Sequence, residues 1–250
     1  MELTGLVLAA VGASDLGRRL VAPRAARAVS VAAVLLLCAL AGAALGADPA
    51  SSAVLAVVPA ACAIGWLGTV RPDRAPLGFA PVVVLAAVAA AGLAFPPGTV
   101  PASIGSAGTP VGLVVLVAGG ALFLLESANL VVRAALRSED VPADDEPSPP
   151  RRLFARSDRA AVDAPDPRTT HTLRGGRIIG PLERIVLAGL VLAQAYPVVA
   201  ALIAAKGIVR FPEISRDRDR GTQAEYFLVG SMVSWVQALA VAALVWLGAR

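Results

Sequence analysis

The side chains that could do chemistry in this chain are few, and they border or interrupt long apolar segments. Glu126 lies in the segment LLESANLVVR, with Asn129 one helical turn later on the same face. If this segment spans a membrane, a carboxylate about two turns inward from Arg133 must be protonated, paired or facing a cavity. Glu126 is therefore a candidate for a functional polar site or for a polar contact between helices.

A second group of polar residues lies between residues 183 and 225, mostly at the edges of apolar runs. Charged groups at such edges either anchor helices at the membrane interface or form a polar site by pairing. Arg210 and Glu225 are equidistant from a turn near residues 217–218, which predicts an ion pair, with Lys206 as the alternative partner. Gln194 is interpreted as a hydrogen-bonding group between helices. The full set of candidate site residues is Glu126, Glu183, Arg184, Gln194, Lys206, Arg210 and Glu225.

Several classes of function have no support in this sequence. The only histidine, His171, lies in a Pro-rich segment, so no serine in an apolar run has an imidazole base nearby in sequence. Cys38 and Cys62, both inside apolar runs, provide neither a disulfide framework nor a thiolate metal site. Neither clustered acids for Mg²⁺ nor nucleotide-binding fingerprints occur. We therefore expect a protein that is not an enzyme, with no catalytic residues, no metal and no cofactor.

The composition indicates which elements must position the polar groups. Of the 250 residues, 57% are apolar and 16% are charged, whereas soluble domains have about 25% charged residues. A membrane-spanning helix needs roughly 20 apolar residues, and charge-free runs of that length cover 28–47, 49–70, 75–125, 185–205 and 226–249. The predicted fold is an all-α, polytopic transmembrane helical bundle of about seven helices, or six if the N-terminal segment is peripheral.

Basic residues at the ends of the apolar runs predict the orientation of the helices. Of the 22 basic residues, 21 are Arg, and the net charge is +4. Since these residues flank apolar runs, they indicate cytoplasmic loops and anionic headgroups, and no nucleic-acid partner is expected. Loops at Asp48 and Gly98 are predicted to lie on the opposite side. The predicted helices cover approximately 1–16, 28–47, 52–70, 76–94, 110–133, 178–211 and 222–248.

The composition changes sharply between residues 138 and 174. This segment combines Pro, Asp, Glu and Arg with few large apolar side chains, so it cannot bury enough surface to offset the entropy of ordering. It is predicted to be a disordered cytoplasmic linker. The linker separates a membrane domain of about five helices, residues 1–137, from a two-helix membrane hairpin, residues 175–250.

The predicted helix 178–211 has two possible paths. If it crosses the membrane fully, five basic residues of segment 206–220 lie outside, against 17 inside. If it breaks at Tyr196–Pro197 and returns, 21 basic residues lie inside and one outside, which agrees better with the positive-inside rule. A break, however, leaves backbone carbonyls without partners at membrane depth. The full crossing is the favoured interpretation.

Three motifs in the C-terminal part are specific enough to compare with known families: GxxIGxLER, AAKxxxRF and AEYFLxGSxxS. Through them, this part of the chain resembles the C-terminal region of a family of uncharacterised bacterial integral membrane proteins. The resemblance implies a multi-pass protein of the bacterial inner membrane and no known activity. The residues that carry it are Gly176, Ile179, Gly180, Leu182, Glu183, Arg184, Ala204, Ala205, Lys206, Arg210, Phe211, Ala224, Glu225, Tyr226, Gly230 and Ser231.

Two functions are compatible with these features. The first is a non-catalytic subunit or scaffold, which acts through helix contacts in the lipid bilayer with another membrane protein or a second copy of itself. The alternative is a small transporter or channel with a polar path near Glu126, Gln194 and Lys206. The surroundings of Glu126 discriminate between them, because transport requires a wet cavity and a scaffold requires a neighbouring helix.

Overall fold

The structure is a computed structural model that describes residues 1–21, 23–70, 80–94, 96–104, 108–138, 176–216 and 222–250. The predicted linker 138–174, with His171, lies almost entirely outside the described residues. Two short antiparallel strands, β1 (Ser103–Ile104) and β2 (Thr109–Pro110), pair Ser103 with Pro110. The helices are α1 (Glu2–Leu20), α2 (Arg24–Leu45), α3 (Pro49–Thr69), α4 (Ala80–Ala94), α5 (Val111–Leu122), α6 (Ala128–Ser138), α7 (Gly176–Leu192), α8 (Tyr196–Arg216) and α9 (Thr222–Gly248).

A π-helical turn, Phe123–Ser127, joins α5 directly to α6. Residues 111–138 therefore form one continuous helix. Counted in this way, the described part of the chain contains eight helices. The all-α class is confirmed, whereas a bundle of seven helices is not.

Four helices are long and apolar enough to cross a membrane, and they overlap four of the five charge-free runs; the fifth run, 185–205, is divided between α7 and α8. Two shorter apolar helices, Ala80–Ala94 and Tyr196–Val209, accompany them. The charges of α1 and α7 keep these two helices out of the apolar set. The four candidate spans are Arg24–Leu45, Pro49–Thr69, Val111–Leu136 and Phe227–Gly248.

Helix α1 lies at the centre of the N-terminal part of the bundle. It contacts α2, α3, α4 and α5, and 11 of its 19 residues are buried. Its residues 3–14 are all apolar or small, so neighbouring helices can pack against several of its faces. The N-terminal helix extends to Leu20, beyond the predicted 1–16, and packs inside the bundle, although it is not among the four candidate spans.

Glycines allow α1 and α5 to approach each other closely. A Cβ atom at Gly5 would stand 2.6 Å from the backbone nitrogen of Leu116, and one at Gly12 would stand 2.6 Å from that of Phe123. Gly119 on α5 meets the carbonyl oxygen of Gly5 in the same way. Small residues at such positions let helix backbones pack directly against each other.

The glycine contacts also establish that α1 and α5 run in the same direction, since Gly5 faces Leu116 and Gly12 faces Phe123. Helix α3 shares this direction, because Trp66 near its end contacts Asp15 near the end of α1. Helices α2, α4 and α9 run the opposite way. Their contacts that establish this are Gly42 with Leu55, Gly92 with Thr4, and Gly248 with Met1.

The two ends of the bundle differ in charge. We call the end where α1 and α6 finish the basic end, because Arg18, Arg19 and Arg133 lie there. The opposite end, called the cap end, contains Asp48 and Gly98, which lie side by side. The predicted separation of these loops from the basic residues of α1 and α6 agrees with this arrangement.

Asp48 caps α3 at the cap end. Its Oδ1 accepts hydrogen bonds from the backbone nitrogens of Ser51 at 3.0 Å and Ala50 at 2.9 Å, and the Ser51 hydroxyl donates to Oδ2 at 2.7 Å. The backbone and side-chain hydrogen bonds from Ser51, followed by that from Ala50, hold the pKa of the Asp48 carboxyl below its ordinary value of 3.8. This is a standard way to satisfy the free N–H groups of a first helical turn.

The C-terminal part contains three helices, which corrects the predicted two-helix hairpin at 175–250. The predicted helix 178–211 is interrupted at residues 193–195, where Gln194 has a φ of 57°. Helix α8 then returns along α7, since Lys206 Nζ lies 2.7 Å from Glu183 Oε1. A continuous helix over 178–211 is therefore wrong: the chain breaks at residues 193–195, directly before the predicted alternative break at Tyr196–Pro197, and reverses direction.

The physical reason for the break lies in its own sequence. Pro197 has no N–H and disfavours the helical conformation at the preceding residue, whereas it fits the first turn of a new helix. The backbone nitrogen of Ala195 donates to the carbonyl of Leu190 at 2.9 Å, and that of Gln194 donates to Val191 at 3.0 Å. The turn thus satisfies carbonyls that a simple break would leave free.

Candidate functional site

Glu126 is bound by side chains from α1 and from its own helix. Arg19 of α1 donates to its Oε2, and the guanidinium of Arg133 lies 3.6 Å from Oε1. The amide nitrogen of Asn129 lies 3.5 Å from Oε2. Only 9% of the Glu126 side chain is exposed. The carboxylate therefore faces a neighbouring helix, and two guanidinium groups share it.

The π-helical turn allows consecutive polar residues to face the interior. Here the backbone nitrogen of Ala128 donates to the carbonyl of Phe123, five residues earlier. The extra residue rotates the following side chains around the helix, and such turns occur frequently at functional sites. As a result both Glu126 and Ser127 are buried, and they reach different partners on α1.

Arg184 of α7 is buried, with 2% of its surface exposed. Its Nε donates to the carbonyl of Leu124 in the π-helical turn at 3.0 Å, and its Nη1 donates to the hydroxyl of Ser234 on α9 at 3.2 Å. Its Nη2 donates to the side-chain oxygen of Asn129. A buried guanidinium needs several acceptors, and these come from three different parts of the bundle.

Asp15 of α1 is a further buried carboxylate. Its Oδ2 accepts hydrogen bonds from Trp66 Nε1 on α3 at 2.8 Å and from the Ser127 hydroxyl at 2.6 Å. Arg18 lies 3.8 Å from Oδ1. The Trp66 ring packs edge-on against Phe123, with 6.2 Å between the ring centroids. Asp15 therefore connects α1 to α3 and to the π-helical turn.

These groups form one set, which we call the central polar cluster. Asn129 joins its two halves, because its nitrogen faces Glu126 and its oxygen accepts from Arg184. The cluster connects α1, α3, α6, α7 and α9 through hydrogen bonds. Its members are Asp15, Arg19, Trp66, Glu126, Ser127, Asn129, Arg184 and Ser234.

A second polar contact, which we call the clasp, holds the middle of α8 against α7 and α9. It consists of Glu183, Lys206 and Trp235. Lys206 Nζ lies 2.7 Å and 2.8 Å from the two carboxylate oxygens of Glu183, and Trp235 Nε1 donates to Oε1 at 3.0 Å. The ammonium group also lies 5.4 Å from the centroid of the Trp235 ring, within the range of a cation–π contact.

The structure brings together some of the predicted site residues and separates others. Glu126 and Arg184 belong to the central polar cluster, and Glu183 and Lys206 form the clasp. Gln194 is exposed at the turn between α7 and α8, which corrects its predicted place between helices.

The predicted pair of Arg210 with Glu225 falls partly outside the described side chains, because that of Arg210 is not among them. Glu225 itself is exposed. Lys206, the alternative partner, binds Glu183 instead.

Asp15 and Trp66 are not among the predicted site residues, and the sequence pattern indicates Arg19 only as a signal for orientation. Asp15 directly follows a charge-free run from residue 3 to residue 14. The reasoning applied to Glu126, that a carboxylate beside an apolar run needs a partner, would have found it. Nothing in the sequence indicated Trp66, because a tryptophan in an apolar run is common in membrane helices.

The polar contacts of the cluster and the clasp connect side chains of different helices. The carboxylates of the cluster and the clasp accept hydrogen bonds or ion pairs from named partners on other helices. Within the described residues, no group of three or more His, Cys, Asp or Glu is arranged to hold a metal ion. Removing one partner of a buried ion pair costs about 3 to 5 kcal/mol, because it leaves a buried charge unpaired, so this arrangement of helices depends on the cluster remaining complete.

The chain was compared with models of known families, with curated proteins and with solved structures, and none of the three comparisons finds a match.

Proposed function

We propose that this chain is a non-catalytic integral membrane protein that acts as a subunit or scaffold through helix contacts. One observation carries the proposal: Glu126, the most interior carboxylate predicted from the sequence, is held by Arg19, Arg133 and Asn129. A transport path needs polar groups that are free to bind a passing solute or proton. Here the polar groups bind each other and join helices.

The alternative path through Glu126, Gln194 and Lys206 has weaker support. Glu126 lies in the central polar cluster near the basic end, and Lys206 lies in the clasp. Gln194 stands exposed at the turn between α7 and α8, about 11 to 12 residues away along both helices from the clasp, which is roughly 17 Å. Three groups that transport one solute need to line one continuous passage.

We propose further that the eight helices cross the inner membrane of a bacterium in alternating directions. Helices α1, α3, residues 111–138 and α8 would run towards the cytoplasm, and α2, α4, α7 and α9 away from it. The return of α8 along α7 supports this topology, because it gives 21 basic residues inside and one, Arg250, outside. The resemblance of the C-terminal motifs to bacterial integral membrane proteins supports the compartment.

Lipid-facing surfaces are consistent with this proposal. Helix α2 is the most apolar candidate span, and Gly42 is its only buried residue. Its large side chains Val29, Leu36, Leu37 and Leu40 are all exposed. An aqueous surface rarely carries so large an apolar patch, whereas lipid or a partner helix covers it naturally.

The test is purification in a mild detergent followed by native mass spectrometry and proteomics. We expect a stoichiometric partner, either a second copy or another membrane protein. Replacing exposed Leu36 and Leu40 with Ala tests whether α2 carries the contact, with exposed Val83 and Val84 of α4 replaced by Ala as the control. A monomeric chain that gives solute flux in proteoliposomes, with flux lost in Glu126→Gln, would contradict the scaffold and support the transporter.

A further inference from the structure

With Arg18 and Arg133 paired to its two carboxylates, the central polar cluster has four guanidinium groups against the carboxylates of Asp15 and Glu126 among the described side chains. Glu126 is the one carboxylate shared by Arg19 and Arg133, and Arg184 is joined to it through Asn129. The acid next to Arg184 in sequence, Glu183, is engaged by Lys206. The described guanidinium groups of this region therefore outnumber its described carboxylates by two, and charge taken out of water requires compensation.

Part of this positive charge is exposed on the surface of the helical bundle. Side-chain exposure is 31% for Arg19 and 51% for Arg133, while the carboxylate between them is 9% exposed. Arg18 is also 31% exposed, and its partner Asp15 already accepts hydrogen bonds from Trp66 and Ser127. The partly exposed guanidinium groups of Arg19 and Arg133 therefore meet at Glu126, between the ends of α1 and α6, and Arg18 lies one residue before Arg19 at the same basic end.

The position relative to the apolar helices indicates the kind of anion that fits. Arg133 stands three residues before the end of the candidate span 111–136, and the candidate span of α2 begins at Arg24. Leu20, at the end of α1 next to Arg19, is 74% exposed. Guanidinium groups beside exposed apolar side chains at the end of a span lie at the depth of lipid phosphates.

We propose that Arg19, Arg133 and Arg18 form a binding site for the phosphate of an anionic phospholipid headgroup. A guanidinium presents paired N–H donors that match two phosphate oxygens. The buried carboxylate of Glu126 binds Arg19 and Arg133, so both guanidinium groups are already positioned before the lipid binds. The lipid supplies the negative charge that the cluster lacks, and its acyl chains lie against apolar helix surface. The inference stands apart from the scaffold proposal, since a transporter with this geometry would bind the same lipid.

The experiment uses the full-length protein in detergent and measures thermal stabilisation together with lipid adducts in native mass spectra. The probes are dioleoylphosphatidylglycerol, dioleoylphosphatidylcholine and inorganic phosphate at equal concentrations. We expect phosphatidylglycerol to bind about tenfold more tightly than phosphatidylcholine, as one strong charge-assisted contact provides. Equal affinity for the two lipids would overturn the proposal. Stabilisation by inorganic phosphate equal to that by phosphatidylglycerol would also overturn it, because the site would then recognise free phosphate.

The variants localise the site. Arg133→Gln removes the most exposed of the three groups while Arg19 keeps its contact with Glu126, so this protein is expected to fold. It should lose most of the preference for phosphatidylglycerol. The matched control is Arg250→Gln at the opposite end, where Arg250 packs over the Trp246 ring. If Arg250→Gln reduces the preference as strongly as Arg133→Gln, the effect reports net charge and the proposed site is wrong.

Discussion

Two carboxylates in this molecule are paired in similar local surroundings, but they hold very different parts of it. Glu126 and Glu183 are 9% and 13% exposed, and their cationic partners Arg19 and Lys206 are 31% and 26% exposed. Glu126 belongs to a region where α1 is packed against four helices and glycine contacts bring backbones together. Glu183 holds α8, most of whose described side chains are exposed.

The difference shows that the contribution of an ion pair depends on how tightly the helices around it are packed. In the α1 region, tight packing fixes the helices, and the pairs neutralise charges that the packing has buried. In the α7 and α8 region, little packing is present and the clasp provides a large share of what keeps α8 in place. We therefore expect losses in the first region to unfold the protein and losses in the second to release one helix.

The largest expected effect comes from overpacking the first region. Gly12→Val places a side chain where α5 backbone already lies, so we expect the yield of folded protein to collapse, with at least about 3 kcal/mol of destabilisation. Gly189→Val is the control, because a Cβ at Gly189 on α7 meets nothing within 4 Å. The measurement is detergent-solubilised yield and thermal unfolding. Equal loss in both variants would contradict the contrast between the regions.

The second largest effect is expected from neutralising the two carboxylates, and the loss of stability should differ between the two regions. Glu126→Gln leaves Arg19 and Arg133 without their shared anion, and we expect about 2 to 3 kcal/mol of lost stability. Glu183→Gln retains a hydrogen-bond acceptor for Trp235 and should cost about 1 kcal/mol. Thermal unfolding of both single variants gives the comparison.

A double-mutant cycle with Arg19→Gln and Glu126→Gln then isolates the pair. The two losses are expected to be strongly non-additive, because each variant removes the same contact. Additive losses would mean that Arg19 and Glu126 do not interact, and the central polar cluster would then lose its link to α1.

A smaller and more local effect is expected at the clasp. Lys206→Gln removes the ion pair and the cation–π contact with Trp235, with a loss of about 1 to 2 kcal/mol. Hydrogen exchange should accelerate in α8 and leave α1 unchanged. Ala205→Gln, at the adjacent exposed position, is the control. Faster exchange spread over all helices would show that the clasp supports the whole bundle.

The smallest effect is expected at the cap end, remote from both regions. Because hydrogen bonds lower the pKa of Asp48, its contribution to stability is complete above the ordinary value of 3.8 and is lost as the pH falls through the lower, folded value. Thermal unfolding followed as the pH is lowered through and below 3.8 should therefore show a small component that Asp48→Asn removes. Asn also caps helices well. An unchanged pH profile in the variant would show that protonation of Asp48 does not contribute to the loss of stability at low pH.

Part of the site was predictable because charged groups beside apolar runs are conspicuous. Glu126, Glu183, Arg184 and Lys206 were selected on this basis, and the structure places each in a polar contact. Which of them meet was not predictable. The assumption of a turn near residues 217–218 predicts a pair of Arg210 with Glu225 and Lys206 as the alternative partner, whereas the turn at 193–195 brings Lys206 to Glu183.

The sequence by itself determined the helical class and the approximate positions of the four candidate spans. An apolar run in lipid must satisfy its own backbone hydrogen bonds, and only the helix does so within one segment, so the outcome depends on local sequence. The tertiary structure alone decided that α1 is central, that the π-helical turn presents Glu126 and Ser127 together, and that α8 returns along α7. These features depend on contacts between residues far apart in the chain, such as Arg19 with Glu126 and Asp15 with Trp66. Composition and charge spacing do not encode such distances, because many packings bury the same apolar faces equally well.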